Sequence, residues 1–324
     1  MEKLLSVENL SINFPSKYGT QLRILDGVDF CIAENEIVGL VGESGSGKTV
    51  TALSIIKLMS QNAILESGKV FFKNENLLDK TEKQLSKIRG KQISMIFQSP
   101  RKALNPLKKV IVQVERAIRL HSRAPKREIN RQALSLLQKV GFSDAAKRAS
   151  SYPHQLSTGM CQRVIIAMMI AAKPDLLIAD EPTTALDVTI ATQIYELLHE
   201  IKAETKMSIL LITHDLGLVA ENCDRVVVMH AGHVVEIGKV SEVFSSPGHP
   251  YTKHLLHSLL RVDKKVELKT VNINAVEERD YTISGCRYLR KCDFAIDICS
   301  DNKPILEEIS SGHLVKCHLV GNGR

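Results

Sequence analysis

Short apolar runs, bounded by glycine or polar residues, recur along the chain. The runs that predict buried strands are Glu36–Val41, Val70–Phe72, Ile93–Phe97, Asp175–Ala179 and Ile209–Thr213. Runs of this length and branched composition are typical of parallel strands that are covered on both faces. Further along, apolar positions recur every three or four residues, as in Val110–His121 and Ile129–Val140, which predicts helices. Strands that alternate with helices in this way indicate an α/β fold with a mostly parallel sheet.

The same pattern marks the boundaries between elements. Turn residues at Glu66–Lys69 predict a loop between the first helix, Val50–Ile56, and the next strand. Pro247–Thr252 predicts a turn and a domain boundary before a short helix at His254–Leu260. Residues 261–280 are charged and aperiodic, so they are expected to form a linker.

Composition narrows the classes of function. The chain has 324 residues, 44% of them hydrophobic, so it can bury a sizeable core in one large domain or in two. With no Trp, 4% aromatic residues and a dispersed net charge of +7, it is not expected to bind nucleic acid. No apolar run reaches the ~20 residues that span a bilayer, and the N-terminus lacks the features of a signal peptide. We therefore expect a cytosolic protein whose seven cysteines are reduced.

The segment Gly42–Thr49, which reads GESGSGKT, matches the pattern G-x-x-x-x-G-K-[ST] between a predicted strand and a predicted helix. Its glycines would let backbone N–H groups face the β- and γ-phosphates of a nucleoside triphosphate at the helix N-terminus. Lys48 would neutralise the phosphates, and the Thr49 hydroxyl would ligate Mg²⁺. The residues expected to contact the nucleotide are Gly42, Ser44, Gly45, Gly47, Lys48 and Thr49.

Polar residues at the ends of three later apolar runs complete the expected site. Asp180 and Glu181 follow one run, and at a strand end both can turn to one ligand, with Asp180 on Mg²⁺ and Glu181 as general base. His214 follows the next run and would contact the γ-phosphate. Gln98 closes another run and would orient the attacking water or complete the Mg²⁺ shell. The alternative interpretations are solvated loop acids and a structural histidine.

A second anion site is predicted at Leu156–Met160, where Ser157 and a small-residue turn precede an apolar helix. A simple hydrolase needs one phosphate loop only. A second site of this kind therefore suggests that it serves a nucleotide held by a partner subunit.

Together these motifs resemble those of the ATP-binding subunits of ABC transporters, and more closely the peptide-importer subfamily for oligopeptide, dipeptide and nickel uptake. The matching motifs, in family order, are Walker A at Gly42–Thr49, the Q-loop at Gln98, the signature at Leu156–Met160, Walker B at Leu176–Asp180 with Glu181, the D-loop at Ala185–Asp187 and the switch histidine His214. The resemblance implies an ABC-type nucleotide-binding domain, with an antiparallel subdomain and a helical subdomain beside the mostly parallel sheet.

The resemblance also implies how the nucleotide is held. Phe14 would carry the adenine, with Tyr18 as the alternative residue, and the other interpretation of Phe14 is an ordinary core position. Two subunits would clamp ATP between Walker A of one and the signature of the other, so Ser157 and Gly159 would serve the partner's ATP. Thr158 stands where the signature usually has glycine. A side chain there would crowd the opposing γ-phosphate and slow that composite site, or be merely tolerated.

On this resemblance we expect an ATPase that powers a membrane transporter from the cytoplasmic face of the membrane. Its partners would be a second ABC ATPase subunit (a paralogue or a second copy), two integral membrane permease subunits and an extracytoplasmic substrate-binding protein. In the segment Ser99–Leu107, the residues Arg101, Lys102 and Leu104 would face the permease, or form a plain surface loop. Short peptides are the expected cargo, with nickel or another small chelate as the alternative.

Two other functions stay open at this point. One is a soluble ABC ATPase of ribosomes or DNA repair, which usually has two cassettes or a long coiled coil, and neither is seen in this sequence. The other is a weakly catalytic half of an asymmetric ATPase pair, which Thr158 favours and which Glu181 and His214 oppose.

Four of the seven cysteines lie near the C-terminal end of the chain: Cys286, Cys292, Cys299 and Cys317. Their spacing does not match paired C-x2-C zinc knuckles, but grouped thiols in a cytosolic protein favour a metal over a disulfide. Four cysteines suit an iron–sulfur cluster. The local sequence resembles the C-terminal extension of dipeptide and oligopeptide importer subunits, some of which bind a [4Fe–4S] cluster. Zinc, with His313 or His318, and metal-free thiols are the alternatives.

The predicted domain organisation follows from these segments. An ABC ATPase domain occupies residues 1–260, with its helical subdomain at about residues 100–170. A linker follows at 261–280, and a cysteine-rich extension occupies 281–324. A metal in this extension would fix a small domain that has few core residues of its own.

Overall fold

The computed structural model of the chain describes residues 2–16, 19–260 and 275–320. The chain forms two compact units. We call Met1–Asp79 with Leu211–Arg324 the terminal unit, and Lys80–Leu210 the central unit.

Strands and helices alternate along the described residues. The strands are β1 (Lys3–Pro15), β2 (Gln21–Ala33), β3 (Ile37–Val41), β4 (Ile64–Phe72), β5 (Glu75–Asn76), β6 (Ile93–Ile96), β7 (Leu176–Asp180), β8 (Ser208–Thr213), β9 (Arg225–His230), β10 (His233–Lys239), β11 (Glu307–Ser310) and β12 (His313–Val315). The helices are α1 (Lys48–Ile55), α2 (Glu82–Ile88), α3 (Pro100–Ala103), α4 (Val110–His121), α5 (Lys126–Lys139), α6 (Ala145–Arg148), α7 (Thr158–Met169), α8 (Val188–Thr205), α9 (Leu216–Asn222), α10 (Val240–Ser245), α11 (Pro250–Leu260) and α12 (Ile298–Asp301). Short 3-10 helices lie at Leu77–Asp79, Pro153–Gln155, Glu278–Thr282 and Leu289–Lys291. The α/β class predicted from the sequence is confirmed.

An antiparallel sheet in the terminal unit has the strand order β2-β1-β4-β5. The loop predicted at Glu66–Lys69 is wrong, because these residues lie within β4, where Ser67 pairs with Ser11. The pairing is irregular here, and Gly68 has a φ of +109°. A Cβ on Gly68 would lie 2.5 Å from the Cα of Leu10, so the glycine belongs to a β-bulge and not to a turn.

The second sheet of the terminal unit carries β11, β12, β10, β9 and β3 in that order. β3 pairs with β9 in parallel, whereas β10 is antiparallel to both β9 and β12. Every residue of β3 is buried, as its apolar run predicts. Through β12, where Val315 pairs with Glu236, the C-terminal part of the chain shares this sheet with the strand that leads into the phosphate loop.

In the central unit, β6 and β7 pair in parallel, and helices follow the predicted pattern. α4 begins and ends as predicted, and it buries Val110, Val114 and Ile118 along one face. α5 begins at Lys126, earlier than the predicted start at Ile129. The first turn of α5, which follows Pro125, is largely exposed and polar. The regularly spaced apolar positions that predicted the helix therefore begin only at Ile129.

α11 also begins earlier than predicted, at Pro250 instead of His254. Proline is tolerated in the first turn of a helix because its missing N–H has no intrahelical partner there. The dense Pro and Gly residues of Pro247–Thr252 are therefore a helix start as well as a turn. Within this segment Tyr251 is almost completely buried, at 1% exposed.

Candidate functional site

The phosphate-binding segment Gly42–Thr49 connects β3 to α1 in the terminal unit. Its glycines Gly42, Gly45 and Gly47 have φ values of +154°, +82° and +103°. A Cβ on Gly42 would lie 2.1 Å from the carbonyl oxygen of Met229, so no other residue fits at that position. These conformations wrap the chain around the N-terminus of α1, the arrangement that presents backbone N–H groups to an anion.

Lys48 stands at the first position of α1 and is almost buried, at 7% exposed. Its ammonium donates hydrogen bonds to the carbonyl oxygens of Gly42 (2.7 Å) and Glu43 (2.9 Å). These bonds hold the ammonium on the loop, where phosphate oxygens can take the place of carbonyl acceptors. Ser44 and Thr49 are exposed on the same segment, as residues that contact a nucleotide must be.

In the central unit, the predicted pair Asp180 and Glu181 lies at the end of β7. Asp180 is 4% exposed. Glu181 has a φ of +46°, so directly after Asp180 the side chains no longer alternate between the two faces of the strand. One oxygen of Glu181 accepts hydrogen bonds from the amide of Gln98 (2.6 Å) and from the hydroxyl of Thr184 (2.9 Å). The structure thus brings Gln98 and Glu181 together from the ends of two parallel strands, and the two donors fix the orientation of the carboxylate.

His214 follows β8, belongs to the terminal unit and is exposed. The N–H of Asp215 donates to the hydroxyl of Thr213 (3.0 Å), and the Asp215 carboxylate caps α9 by accepting the N–H of Gly217 (2.8 Å). His214 is therefore held in a tight turn between a strand end and a helix N-terminus. It shares a unit with the phosphate loop, whereas Asp180, Glu181 and Gln98 belong to the central unit.

The signature residues begin α7. Ser157 is exposed and caps the helix by accepting the N–H of Met160 at 3.2 Å. Thr158, the departure from the family pattern, is the first helical residue and is half-buried. Gly159 is buried, and a Cβ there would lie 2.6 Å from a methyl group of Ile190 on α8. Gly159 is thus required by packing against α8 in addition to any contact with a nucleotide.

The segment Ser99–Leu107, for which contact with a permease was expected, is only partly suited to it. Leu104 is buried at 2% exposed, so the expected contact through this side chain is wrong, whereas Leu107 is 85% exposed. Beside the segment lies a groove lined by Lys108, Val112, Arg116, Leu120, Met168 and Met169.

Phe14 lies near the end of β1, where it pairs with Leu22 of β2. It is half-buried, and it is not one of the fully buried core residues. The alternative residue Tyr18 lies outside the described residues.

The four C-terminal cysteines line one small cavity: Cys286, Cys292, Cys299 and Cys317. All four are free thiols. Burial, together with the neighbouring thiols, raises the pKa of Cys286 to about 11. Burial likewise raises the pKa of Cys292 and of Cys317. Without a cation beside them, these three thiols are therefore neutral at pH 7.

In residues 2–16, 19–260 and 275–320, no group of three or more His, Cys, Asp and Glu side chains is arranged to hold a single metal ion. A tetrahedral zinc ion needs its sulfur ligands at ~2.3 Å from one centre. In a four-iron cluster each cysteine binds its own iron, so a cluster does not require the four sulfur atoms to share one metal ion. Both histidines considered for zinc have hydrogen-bond partners: His313 bonds to Glu236 (2.7 Å) and His318 to the carbonyl oxygen of Asn302 (2.8 Å).

Two tyrosines that contact the phosphate loop were not predicted as site residues. The hydroxyl of Tyr251 accepts the N–H of Glu43 at 3.0 Å, and the hydroxyl of Tyr281 donates to the carbonyl oxygen of Gly45. An aromatic residue in the turn-rich stretch Pro247–Thr252 was the available signal for the first. Nothing in the sequence indicated the second, because its partner lies far away along the chain.

Comparison with known proteins places this geometry in a family. The family model described as "ABC transporter" matches residues 25–184, which include the phosphate loop, Gln98 and the signature. The dipeptide transport ATP-binding protein DppD of Escherichia coli (strain K12) is 42% identical over 97% of this chain and 96% of that protein. The chain belongs to the ABC transporter family.

Similarity of this ABC transporter chain to other members continues into its C-terminal part. A second family model, "Oligopeptide/dipeptide transporter, C-terminal region", matches residues 235–299. The oligopeptide transport ATP-binding protein AppD of Bacillus subtilis (strain 168) is 44% identical over 98% of this chain and 97% of that protein. The second family model therefore includes three of the four cysteines that line the cavity.

Solved ABC cassettes have the same fold. A dimeric ATP-binding cassette in a post-hydrolysis state, bound to ADP and Pi, matches with a TM-score of 0.66 at 28% identity over 73% of this chain and 98% of that chain. The protein cbiO1 of Clostridium perfringens, part of the ABC transporter complex cbiONQ, gives a TM-score of 0.64 at 28% identity over 81% of this chain and 98% of that chain. Among the helices that the structure describes, none is both long enough and apolar enough to cross a membrane.

Proposed function

We propose that this chain hydrolyses ATP to power the import of short peptides through a membrane ABC transporter. The observation that carries the proposal is its similarity, along nearly the whole chain, to peptide and dipeptide import ATP-binding proteins, at 42% identity to DppD and 44% to AppD. Nickel or another small chelate is the second candidate cargo, since the ATPase motifs do not select between cargoes. The alternative function on ribosomes or in DNA repair has no support among these relatives.

In the proposed mechanism, the loop glycines Gly42, Gly45 and Gly47 hold the phosphates with Ser44, and Lys48 offsets their charge. Thr49, Asp180 and Gln98 would hold Mg²⁺, which when bound offsets the negative charge of the phosphates. Glu181 accepts a proton from the attacking water, and its bond with Gln98 fixes the carboxylate in that role. His214 donates to the γ-phosphate, and Phe14 packs on the adenine.

A dimer is part of the proposal, with a paralogue or a second copy as partner. Ser157 and Gly159 then face the nucleotide of the partner subunit, at the N-terminus of α7. Two permease subunits and an extracytoplasmic substrate-binding protein complete the transporter. The groove beside Ser99–Leu107 supports docking of a permease helix, since it combines exposed apolar side chains, among them Leu120, with basic ones such as Arg116.

The catalytic assignment is tested by replacing Glu181 with glutamine in the assembled transporter. E181Q keeps the size and the hydrogen bond to Gln98 but removes the base, so kcat should fall by roughly 100-fold or more while ATP still binds. E196Q, on the exposed face of α8, is the matched control and should hydrolyse ATP like the wild type. An E181Q transporter with near-normal kcat would make this chain the weakly catalytic half of an asymmetric pair.

For the C-terminal part we propose a [4Fe–4S] cluster held by Cys286, Cys292, Cys299 and Cys317, within an organisation of ATPase domain 1–260, linker 261–280 and extension 281–324. The four thiols around one cavity support it. Because the thiols are neutral on their own, cluster assembly must release protons, as metal binding by cysteine does. Zinc is the second candidate, and metal-free thiols are the third.

Purification without oxygen, followed by an absorption spectrum and metal analysis, tests the cluster. We expect a broad band near roughly 400 nm and about four Fe per chain. Both should be lost in C292S and kept in C31S, since Cys31 is also free but lies on β2 and does not line the cavity. A colourless protein with about one Zn per chain would favour zinc, and a protein without metal would reject both metals.

A further inference from the structure

The C-terminal extension contacts the phosphate loop directly through Tyr281. The Tyr281 hydroxyl donates a hydrogen bond to the carbonyl oxygen of Gly45, in the middle of the loop. A Cβ on Gly45 would lie 3.5 Å from Val276, so the segment before Tyr281 packs against the same residue. The extension thus reaches the atoms next to the expected phosphates, from far outside the ATPase motifs.

Tyr281 is itself held firmly by Arg287. The guanidinium of Arg287 stacks over the Tyr281 ring at 5.4 Å from its centroid. Arg287 is 4% exposed and pairs with Asp26 at 3.5 Å. Burial raises the pKa of Tyr281 to about 12, so its hydroxyl stays protonated and remains a donor at pH 7.

Arg287 also fixes a second contact with the loop. It donates to the carbonyl oxygen of Ala231 at 2.5 Å, in the turn between β9 and β10. The next residue, Gly232, donates its N–H to the carbonyl oxygen of Ser46 at 2.9 Å. A Cβ on Gly232 would lie 1.8 Å from the Ile24 carbonyl oxygen, so only glycine allows this close approach of the turn to β2.

Two consecutive carbonyl groups of the phosphate loop, those of Gly45 and Ser46, are therefore held from outside the loop. Because a trans peptide unit is planar, the direction of each carbonyl sets the direction of the following N–H. The N–H directions are what a loop of this kind uses to bind phosphate. A loop held in its binding conformation before the ligand arrives loses less conformational entropy on binding.

We propose that Tyr281 and Arg287 are positioning residues for ATP, which keep the phosphate loop in its binding conformation from the C-terminal extension. The inference rests on the proposed use of Gly42–Thr49 as the ATP site. It assigns to the extension a role in nucleotide binding that does not depend on whether its cysteines hold a metal.

The test uses Y281F in the full chain, which removes one hydroxyl and keeps the ring. We expect the Kd for Mg·ATP to rise about two- to tenfold, the range that one hydrogen bond accounts for. In the assembled transporter, KM for ATP should rise likewise while kcat at saturating ATP stays within about twofold, because Tyr281 does not touch the reacting atoms. Y288F is the matched control, since its hydroxyl bonds to His254 and not to the loop.

R287K is the second variant, because it keeps the charge but loses the planar fork that stacks on Tyr281 and reaches Ala231. It should raise Kd at least as much as Y281F. An unchanged Kd in Y281F overturns the inference, and a lower Kd overturns it in favour of a contact that competes with the nucleotide. Wild-type chain that binds no ATP would instead contradict the assignment of the loop, a separate failure. If R287K does not fold, Y281F decides alone.

Discussion

Two neighbouring residues of the signature are constrained in different ways. Gly159 is fixed by packing, because any side chain there would collide with Ile190. Thr158 is the first residue of α7, where the backbone is helical and a side chain is accommodated without strain. We therefore expect Thr158 to affect the ligand at the N-terminus of α7 and not the packing of the helix. In the proposed dimer this ligand is the partner's ATP.

We predict that T158G in the assembled transporter raises kcat, by up to about tenfold, because it removes the side chain that would crowd the opposing γ-phosphate. The same change should lower the free energy of unfolding by up to ~1 kcal/mol, since glycine is unfavourable in a helix. Steady-state ATPase rates and urea unfolding measure the two effects, with T158S as control. A rate at or below that of wild type would mean that Thr158 is simply tolerated.

At the scale of elements, two buried histidines lie at the junction of β9 and α11. The Nδ1 of His249 accepts the N–H of Tyr251 at 3.0 Å, which requires an unprotonated nitrogen. The ring of His230 packs against Tyr251 and Tyr288, with centroids 4.5 Å and 5.1 Å away. Burial lowers the pKa of each histidine to about 3. Both rings are therefore neutral in the folded protein throughout the physiological range.

These histidines predict that the protein loses stability in mild acid. Below pH 6.5 the unfolded chain binds protons at both rings, whereas the folded chain does not until the pH approaches 3, so the free energy of unfolding falls as the pH falls through this window. Between pH 7.5 and pH 5.5, each histidine should lower the free energy of unfolding by about 1.4 kcal/mol. In H249N the asparagine oxygen can still accept the Tyr251 N–H but does not titrate.

Urea unfolding of both proteins at pH 7.5 and 5.5 tests this prediction. The loss on acidification should be smaller in H249N than in wild type by roughly 1.4 kcal/mol. Equal losses in the two proteins would mean that His249 is already protonated, or exposed, in the folded state.

On the scale of the whole molecule, the two ends of the chain belong to one compact unit. β12 joins the sheet that contains β3, and Tyr281 and Arg287 reach the phosphate loop that follows β3. The cysteine cavity is thus part of the unit that holds Walker A and not a separate body. Through these contacts, a structural change in the extension, such as loss of its proposed cluster, would act directly on the phosphate loop.

The sequence alone predicted the α/β class, the phosphate loop and the order of the ABC motifs. These are local features, since a glycine motif or a regular spacing of apolar residues is formed by residues that are close together along the chain. It also predicted that Gln98 and Glu181 serve one site, which the hydrogen bond between them supports. It misjudged Glu66–Lys69, because a glycine in a β-bulge has the same sequence signal as a glycine in a turn.

Contacts between residues that lie far apart along the chain could not be predicted from the sequence. The bond from Tyr281 to Gly45, the burial of Leu104 beside the exposed Leu107, and the convergence of four cysteines on one cavity join residues that no local pattern connects. Local propensity acts over a few residues, whereas these contacts form when strands and helices pack to bury apolar surface. The chemistry of the nucleotide site could therefore be predicted from its motifs, while the packing of the extension on the phosphate loop could not.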